Sequence, residues 1–210
     1  MARQLLVSSA YLPPVDYLLA LAQCQHAYLE AHEHYQKQTY RNRCLIGTAQ
    51  GPLSLVIPVI RPAGHLTPIG DVRVDYSTRW VDNHLRSLHA AYGKCPFFPH
   101  YIDGLTELLH QRHALLLGLN EALLTFLMGA FGLRTTVERT TSYTPNPEPE
   151  LLDLRTAFHP KHPRPPVPEY YQPFDDRLSF MPNLSAVDLL FCEGPTGLGQ
   201  LGAMCTQNEA

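Results

Sequence analysis

The block Tyr35-Gln36-Lys37-Gln38-Thr39-Tyr40-Arg41-Asn42-Arg43-Cys44 carries the densest chemistry in the chain. Its three cations, Lys37, Arg41 and Arg43, fall within seven residues and are interleaved with amides and phenols. If Arg41 and Arg43 open a strand, both point to one face while Asn42 and Cys44 point to the other. Two guanidiniums on one face can grip a phosphate or carboxylate through paired hydrogen bonds. The same residues would equally serve as a solvated edge strand whose charges deter sheet-to-sheet association. A second candidate loop is His159-Pro160-Lys161-His162, with Asp153, Leu154 and Arg155 just upstream. It offers a general base and the cations Arg155 and Lys161 on a backbone that proline stiffens, which lowers the entropy lost on ligand binding. A linker with scattered charges has the same composition. Cys44 stands beside Arg43, and an adjacent cation favours a thiolate, but a core cysteine is the expected role.

Other chemistries find no support in the spacing. His32-Glu33-His34 and His110-x-x-His113 lack the further ligands that a zinc site needs, so no metal is expected. There is no GxSxG, Walker or GxGxxG motif, and no cofactor is expected. Sixteen Lys+Arg against 19 Asp+Glu leave a net charge of −3, which argues against a nucleic-acid partner. An apolar fraction of 45% is too high for a disordered chain and sufficient for one sizeable core over 210 residues. Five cysteines without CxxC pairing read as reduced, mostly buried thiols, and the N-terminus lacks the apolar core of a signal peptide, so a cytoplasmic location is expected. Residues 114–133 are the one stretch that resembles a membrane span, but Asn120 and Glu121 lie near its middle. A carboxylate at mid-bilayer costs about 2.5–3.5 kcal/mol, so a buried amphipathic helix is expected and no span.

The elements that must position these residues read as α/β: a mixed sheet with a β-α-β opening, a hairpin, a helical middle and a proline-rich wrapping segment. Residues 4–10 and 26–31 suit strands around a helix at 15–24. RNRCLIGT and LSLVIPVI form a hairpin around Ala49-Gln50-Gly51-Pro52, with Pro58 at an edge or bulge. Helices are expected over 79–92, capped by Ser77 or Thr78, and over about 103–131, ended by Gly132, followed by a strand in RTTVERTTSY. Nine prolines in the 29 residues 145–173 predict an extended strap, pinned to the core by Leu151–Leu154. Asn183 or Ser185 can cap a short helix through Phe191, and residues 196–210 read as a loose tail after a single domain over 1–195 with a helical subdomain at about 80–132.

Several blocks taken in order resemble the WbqC-like proteins, in the branch common in Bacteroidetes-type bacteria. They are YLPPVDY (11–17), YQKQTYRNRCLI (35–46), Trp80-x-x-x-His84, AYGKCPFF (91–98), LLLGLNEALL (115–124), DLRTAFHPK (153–161) and YYQPF…FMPNLSAVDLLFCEGP (170–195). The motif positions carried over are Tyr11, Pro13, Gln36, Lys37, Asn42, Arg43, Trp80, His84, Asn120, Gln172, Pro182, Ser185 and Asp188. Two departures stand out: Ser9-Ala10 replaces a Gln-Pro before Tyr11, and the proline-rich 145–169 replaces a longer Lys/Glu-containing segment.

The resemblance implies work on nucleotide-linked or lipid-linked sugars in surface-polysaccharide (O-antigen-type) synthesis, and two readings stay open. In the first the chain is a transferase that moves an acyl or aminoacyl group to an activated amino sugar, its partner an anionic small molecule, either a nucleotide sugar or a carboxylate. His84 or His159 would act as base, since a neutral imidazole suits that proton transfer. Tyr11, Gln36, Lys37, Arg41, Asn42, Arg43, Trp80, Arg155, Lys161 and Gln172 would bind substrate. In the second the chain is a non-catalytic binding or scaffold protein of the same pathway.

Overall fold

The apolar run after Gln4 forms β1 (Gln4–Ser8), and Pro13-Pro14 separates it from α1 (Val15–Ala22) in the computed structural model, which describes residues 4–161 and 167–207. The chain returns beside β1 as β2 (His26–Glu30), in parallel, with Ser8 opposite Glu30. The helix between them supplies the crossover that a parallel pair requires. The hairpin follows as β3 (Arg43–Thr48) and β4 (Gly51–Val56), closed by the two-residue turn Ala49-Gln50 with Gly51 at φ +100°. Pro58 lies outside both ladders, between β4 and β5 (Val59–Ile60), and its carbonyl accepts from Asp75 N at 2.9 Å. β5 pairs with β6 (Arg73–Val74).

The helical middle is α2 (Trp80–Tyr92), α3 (Phe98–His110) and α4 (Leu116–Ala130). The expected single helix over 103–131 is therefore two. Gln111-Arg112-His113 carries no apolar side chain to bury, Arg112 turns to φ +52°, and Leu116 N donates to Val72 O at 2.9 Å, so the chain crosses over beside β6 before helix resumes. Neither Ser77 nor Thr78 caps α2; Arg79 stands at the cap position without a side-chain bond. Gly132 does end α4: at φ +68° it lets Leu133 N reach Met128 O at 2.9 Å, a left-handed termination that releases the chain toward the sheet.

β7 (Thr136–Arg139) then pairs with β2, and β8 (Leu151–Asp153) with the other side of β1. The resulting sheet, β7-β2-β1-β8, is parallel throughout and grows outward from β1 in both directions. β8 is the piece of the strap that was expected to pin it to the core, and Leu154 N extends the pairing to Leu6 O at 2.8 Å. Residues 162–166 of the strap, including His162, lie outside the described residues.

α5 (Ala186–Glu193) is buried along its whole length from Ala186 to Cys192 and touches every other helix named so far. The residues after Thr196, expected to be loose, form α6 (Gly197–Gln207), while 208–210 lie outside the described residues. Leu198 and Leu201 supply the apolar side missed in the sequence, and α6 packs on α1, with Leu19 against Gly202. Ser185 caps α5 as expected, accepting from Val187 N at 3.4 Å, and it also donates to Leu12 O at 2.8 Å. Ser185→Ala removes both contacts from a fully buried site, and urea unfolding is expected to show a loss of about 1–2 kcal/mol.

Candidate functional site

The carboxyl ends of the four parallel strands gather a polar cluster. Ser8 ends β1, Glu30 ends β2, Thr140 follows β7, and Asp153 ends β8 with Arg155 just beyond. Glu30 is fully buried and has a partner on each oxygen: Oε1 accepts from His32 N at 2.9 Å and Thr140 Oγ1 at 3.0 Å, and Oε2 from Arg155 Nη1 at 3.2 Å. Arg155 also makes a forked pair with Asp153, at 3.0 and 2.6 Å, and lies over the Tyr143 ring at 5.1 Å. The neighbouring Glu33–Arg41 pair is likewise bidentate and buried, at 2.8 and 2.5 Å. Ser8 joins the two pairs, because its Oγ accepts from Arg41 Nη2 at 2.7 Å and lies 3.0 Å from the Arg155 carbonyl. Ser8, Ser9, Tyr17, Arg41, Arg155 and Phe158 line a small recess of about 10 Å³ here, room for a water, at the end of a parallel sheet where such folds hold ligands.

The segment 40–43 connects this edge to a second group. Asn120 on α4 donates to Ser9 Oγ at 2.6 Å and to Arg41 O at 2.8 Å. Tyr11 N donates to Tyr40 O at 2.8 Å, and Asn42 exchanges bonds with Ile57 through side chain and backbone. From there the Tyr11 phenol reaches His84 Nδ1 at 2.9 Å, and Trp80 sits edge-on to His84 with ring centroids 5.1 Å apart. Burial lowers the His84 pKa to about 4 despite a backbone hydrogen bond at Val56 that favours the imidazolium. His84 is thus a neutral interior ring holding Tyr11, and Trp80, 3% exposed and flanked by Tyr76 and His84, has no open face for a sugar.

A third group lies around α5. Tyr170 donates to Asp188 Oδ2 at 2.7 Å, and Gln172 clamps the Met181 backbone with two bonds of 2.9 Å. Asp188 is fully buried, and desolvation raises its pKa to about 6 against the pull of its hydrogen-bond donors.

The expected binding residues therefore divide among different surroundings. Tyr11, Arg41, Asn42, Arg43, Trp80 and His84 meet around segment 40–43, with Arg155 joined to Arg41 through Ser8. Arg41 and Arg43 do not form a paired anion clamp, because Arg41 is held by Glu33 and Ser8, and Arg43 is half-buried opposite Val56 with no partner on Nε. Gln36 and Lys37 are exposed on the turn before Thr39, His159 Nδ1 accepts from Lys161 N at 3.1 Å on the loop after Phe158, and Gln172 belongs to the α5 group. Cys44 is fully buried among apolar side chains, which pushes its thiol pKa up and removes it as a nucleophile. Ser8, Glu30 and Glu33 went unrecognised as site residues in the sequence: Glu30's partner Arg155 lies 125 residues away, while Glu33, eight residues before Arg41, was a signal that could have been read.

The sequence profile of the WbqC-like protein family matches residues 8–162, nearly three quarters of the chain. The chain belongs to the WbqC-like family. It is also 27% identical over 157 residues to "Uncharacterized protein Rv1507c" of Mycobacterium tuberculosis (strain ATCC 25618 / H37Rv), an alignment covering 74% of this chain and 65% of that relative. No solved structure matches. Among the described residues, no helix is long and apolar enough to cross a membrane, and no three His, Cys, Asp or Glu side chains converge as a metal site. The WbqC-like match begins at Ser8 and ends beyond Arg155, so it contains the whole strand-end cluster and excludes α5.

Two predictions follow from these buried charges. Arg41→Met strands Glu33 without its partner and is expected to cost about 3–5 kcal/mol in urea unfolding, most of it recovered in Glu33→Gln/Arg41→Met. His84 and Asp188 set opposing pH dependences. The depressed His84 pKa gives stability that is full above the ordinary imidazole range and lost as pH falls through about 4. The raised Asp188 pKa gives stability present below the ordinary carboxyl range and lost as pH rises through about 6. Each is worth about 3 kcal/mol at its extreme. Asp188→Asn should therefore gain stability over wild type near about pH 7.5 and not near about pH 4.5, while His84→Gln should lose less than wild type on acidification.

Proposed function

We propose that this WbqC-like protein acts in surface-polysaccharide synthesis, transferring an acyl or aminoacyl group to an activated amino sugar at the carboxyl edge of its parallel sheet. The observation that supports the reading is the strand-end recess lined by Ser8, Arg41 and Arg155, which segment 40–43 joins to the family-motif residues Asn120, Tyr11 and, through Tyr11, His84. Three carboxylates, Glu30, Glu33 and Asp153, face two guanidiniums, Arg41 and Arg155, so the edge keeps one net negative charge. That balance suits the ammonium of an amino sugar, while Lys37, Arg43 and Lys161 supply cations for its diphosphate. Phe158, half-buried at the recess and backed by the buried Tyr17 ring at 4.9 Å, offers an apolar edge for the sugar ring.

In the reaction the sugar amine attacks the acyl carbonyl carbon, His159 takes the proton from nitrogen, and the donor's leaving group departs with its bonding electrons. Buried ion pairs fix the walls before substrate arrives, so little is lost in ordering them. Tyr11, Asn42, Trp80 and His84 act by holding segment 40–43 behind those walls, while Gln172 serves the α5 group.

A second reading, a binding or scaffold protein of the same pathway, draws on the fact that both recess guanidiniums already have carboxylate partners. Isothermal titration of the purified chain with a panel of nucleotide sugars separates the two. The transferase reading expects at least one amino-sugar nucleotide to bind and Arg43→Ala to weaken it roughly tenfold or more, the effect of one lost charge-assisted contact. Absence of heat with the whole panel would count against it and leave the scaffold reading.

A further inference from the structure

Two sequence blocks, AYGKCPFF and DLLFCEGP, remain outside the proposed chemistry, and the fold brings their cysteines together. Cys95 precedes α3 and Cys192 lies at the end of α5; they are 97 residues apart in sequence, yet their sulfurs are 3.6 Å apart. Three contacts beside them hold the two segments in this arrangement. Phe97 N donates to Phe191 O at 3.1 Å, the Phe98 and Phe191 rings meet edge-to-face at 5.0 Å, and Tyr92 and Phe191 lie 5.5 Å apart. Gly194, at φ +70°, lets the chain pass directly over the Phe97 ring, where any Cβ would fall about 2.5 Å from ring carbons. These contacts fix the backbone beside both cysteines and so keep the two sulfurs within reach of each other.

The two thiols have different surroundings. Cys95 is itself buried, between the exposed Lys94 and Pro96 and three residues before α3. The contact with the Cys192 sulfur lowers its pKa, against desolvation and the nearby Asp188 carboxylate. Cys192 keeps its proton in that same contact with Cys95, and burial and the nearby Asp188 carboxylate push its thiol pKa up further. The pair therefore has one sulfur suited to attack and one suited to resolve.

We infer that Cys95 and Cys192 form a reversible disulfide in response to hydroperoxides. The Cys95 thiolate attacks one peroxide oxygen, the O–O bond breaks, and the departing alkoxide or hydroxide takes up a proton, leaving a sulfenic acid on Cys95. The Cys192 sulfur then attacks the Cys95 sulfur. The S–O bond breaks and hydroxide leaves as water with the Cys192 proton. Two thiols are oxidised and one peroxide is reduced to an alcohol, or to water, with a further water released. The sulfurs need to approach by about 1.5 Å to reach disulfide length. The bond would clamp the C-terminal end of α5, whose N-terminal side is tied to the loop after β1 by Ala186 N to Pro13 O at 2.8 Å and Ser185 Oγ to Leu12 O at 2.8 Å. That same loop begins at the recess, so oxidation stiffens one of its supports.

The wild-type chain tests this directly: treat it with hydrogen peroxide, block remaining thiols by alkylation, and digest without reduction. The expected result is one cross-linked peptide joining Cys95 to Cys192, three of the five cysteines alkylated, and reversal by dithiothreitol. Closing so long a loop should also raise the thermal midpoint by roughly 5–10 °C. Five alkylated cysteines after excess peroxide, or cross-links that involve Cys24, Cys44 or Cys205 instead, would overturn the inference. In Cys192→Ser, a sulfenic-acid probe such as dimedone should label Cys95; labelling elsewhere would overturn the assigned order of attack.

Discussion

A carboxylate with no solvent exposure at the end of a central strand is a constraint that the rest of this molecule is built to satisfy. Unpaired, Glu30 would be protonated or the strand end would open, since burying a lone charge costs far more than a domain's net stability. Its cation is Arg155, which lies on the strap beyond β8. Satisfying Glu30 therefore requires the last strand of the sheet to be in place and the strap to run across the strand ends. Asp153 then holds Arg155 from its other side, and Thr140 brings in the chain that leaves β7. One buried charge at β2 thus fixes where β1, β7 and β8 must end.

The Glu33–Arg41 pair applies the same logic one step further out. Its Arg41 carbonyl is bound by Asn120, which joins the helical middle to the sheet edge, and its guanidinium is bound by Ser8, which joins it to the Arg155 loop. Ion pairs of this kind add little net stability over apolar residues of equal volume, but breaking one leaves a stranded charge, so they favour one arrangement strongly. A site assembled from several loops needs that specificity more than it needs stability. The α5 group works differently. Among the described residues Asp188 has hydrogen-bond donors but no cation, so its charge is tolerated rather than neutralised, and His84 on α2 is kept neutral by the same kind of burial.

Periodicity made much of the fold legible. The β-α-β opening, the hairpin turn, the Gly132 termination and the Ser185 cap are local properties, encoded in a few adjacent residues each. The errors also have local causes. The long apolar pattern of residues 103–131 concealed a break because leucines at helical spacing continue on both sides of Gln111-Arg112-His113. The C-terminal helix was hidden because glycines dilute Leu198 and Leu201. The candidate site was only half legible. Segment 40–43 stood out by composition, and the strap's DLRTAFHPK by its cations, but their composition does not reveal that both arginines already have buried acids. Arg41 is held by Glu33, eight residues upstream, through a turn that folds the chain back, and Arg155 by Asp153 beside it and by Glu30, 125 residues away.

That distinction changes what the basic residues can do. A guanidinium locked to a buried carboxylate is a poor anion grip but a rigid wall, with its direction set before any ligand arrives. Residues that are exposed or half-buried, such as Lys37, Arg43 and Lys161, retain charge that a ligand can use at the cost of ordering flexible side chains. The strand-end recess is lined by guanidiniums of the first kind, so its walls offer fixed shape rather than a free cation. With three carboxylates against two guanidiniums, the same ion pairs leave one net negative charge at this edge, which sets it apart from a general anion site.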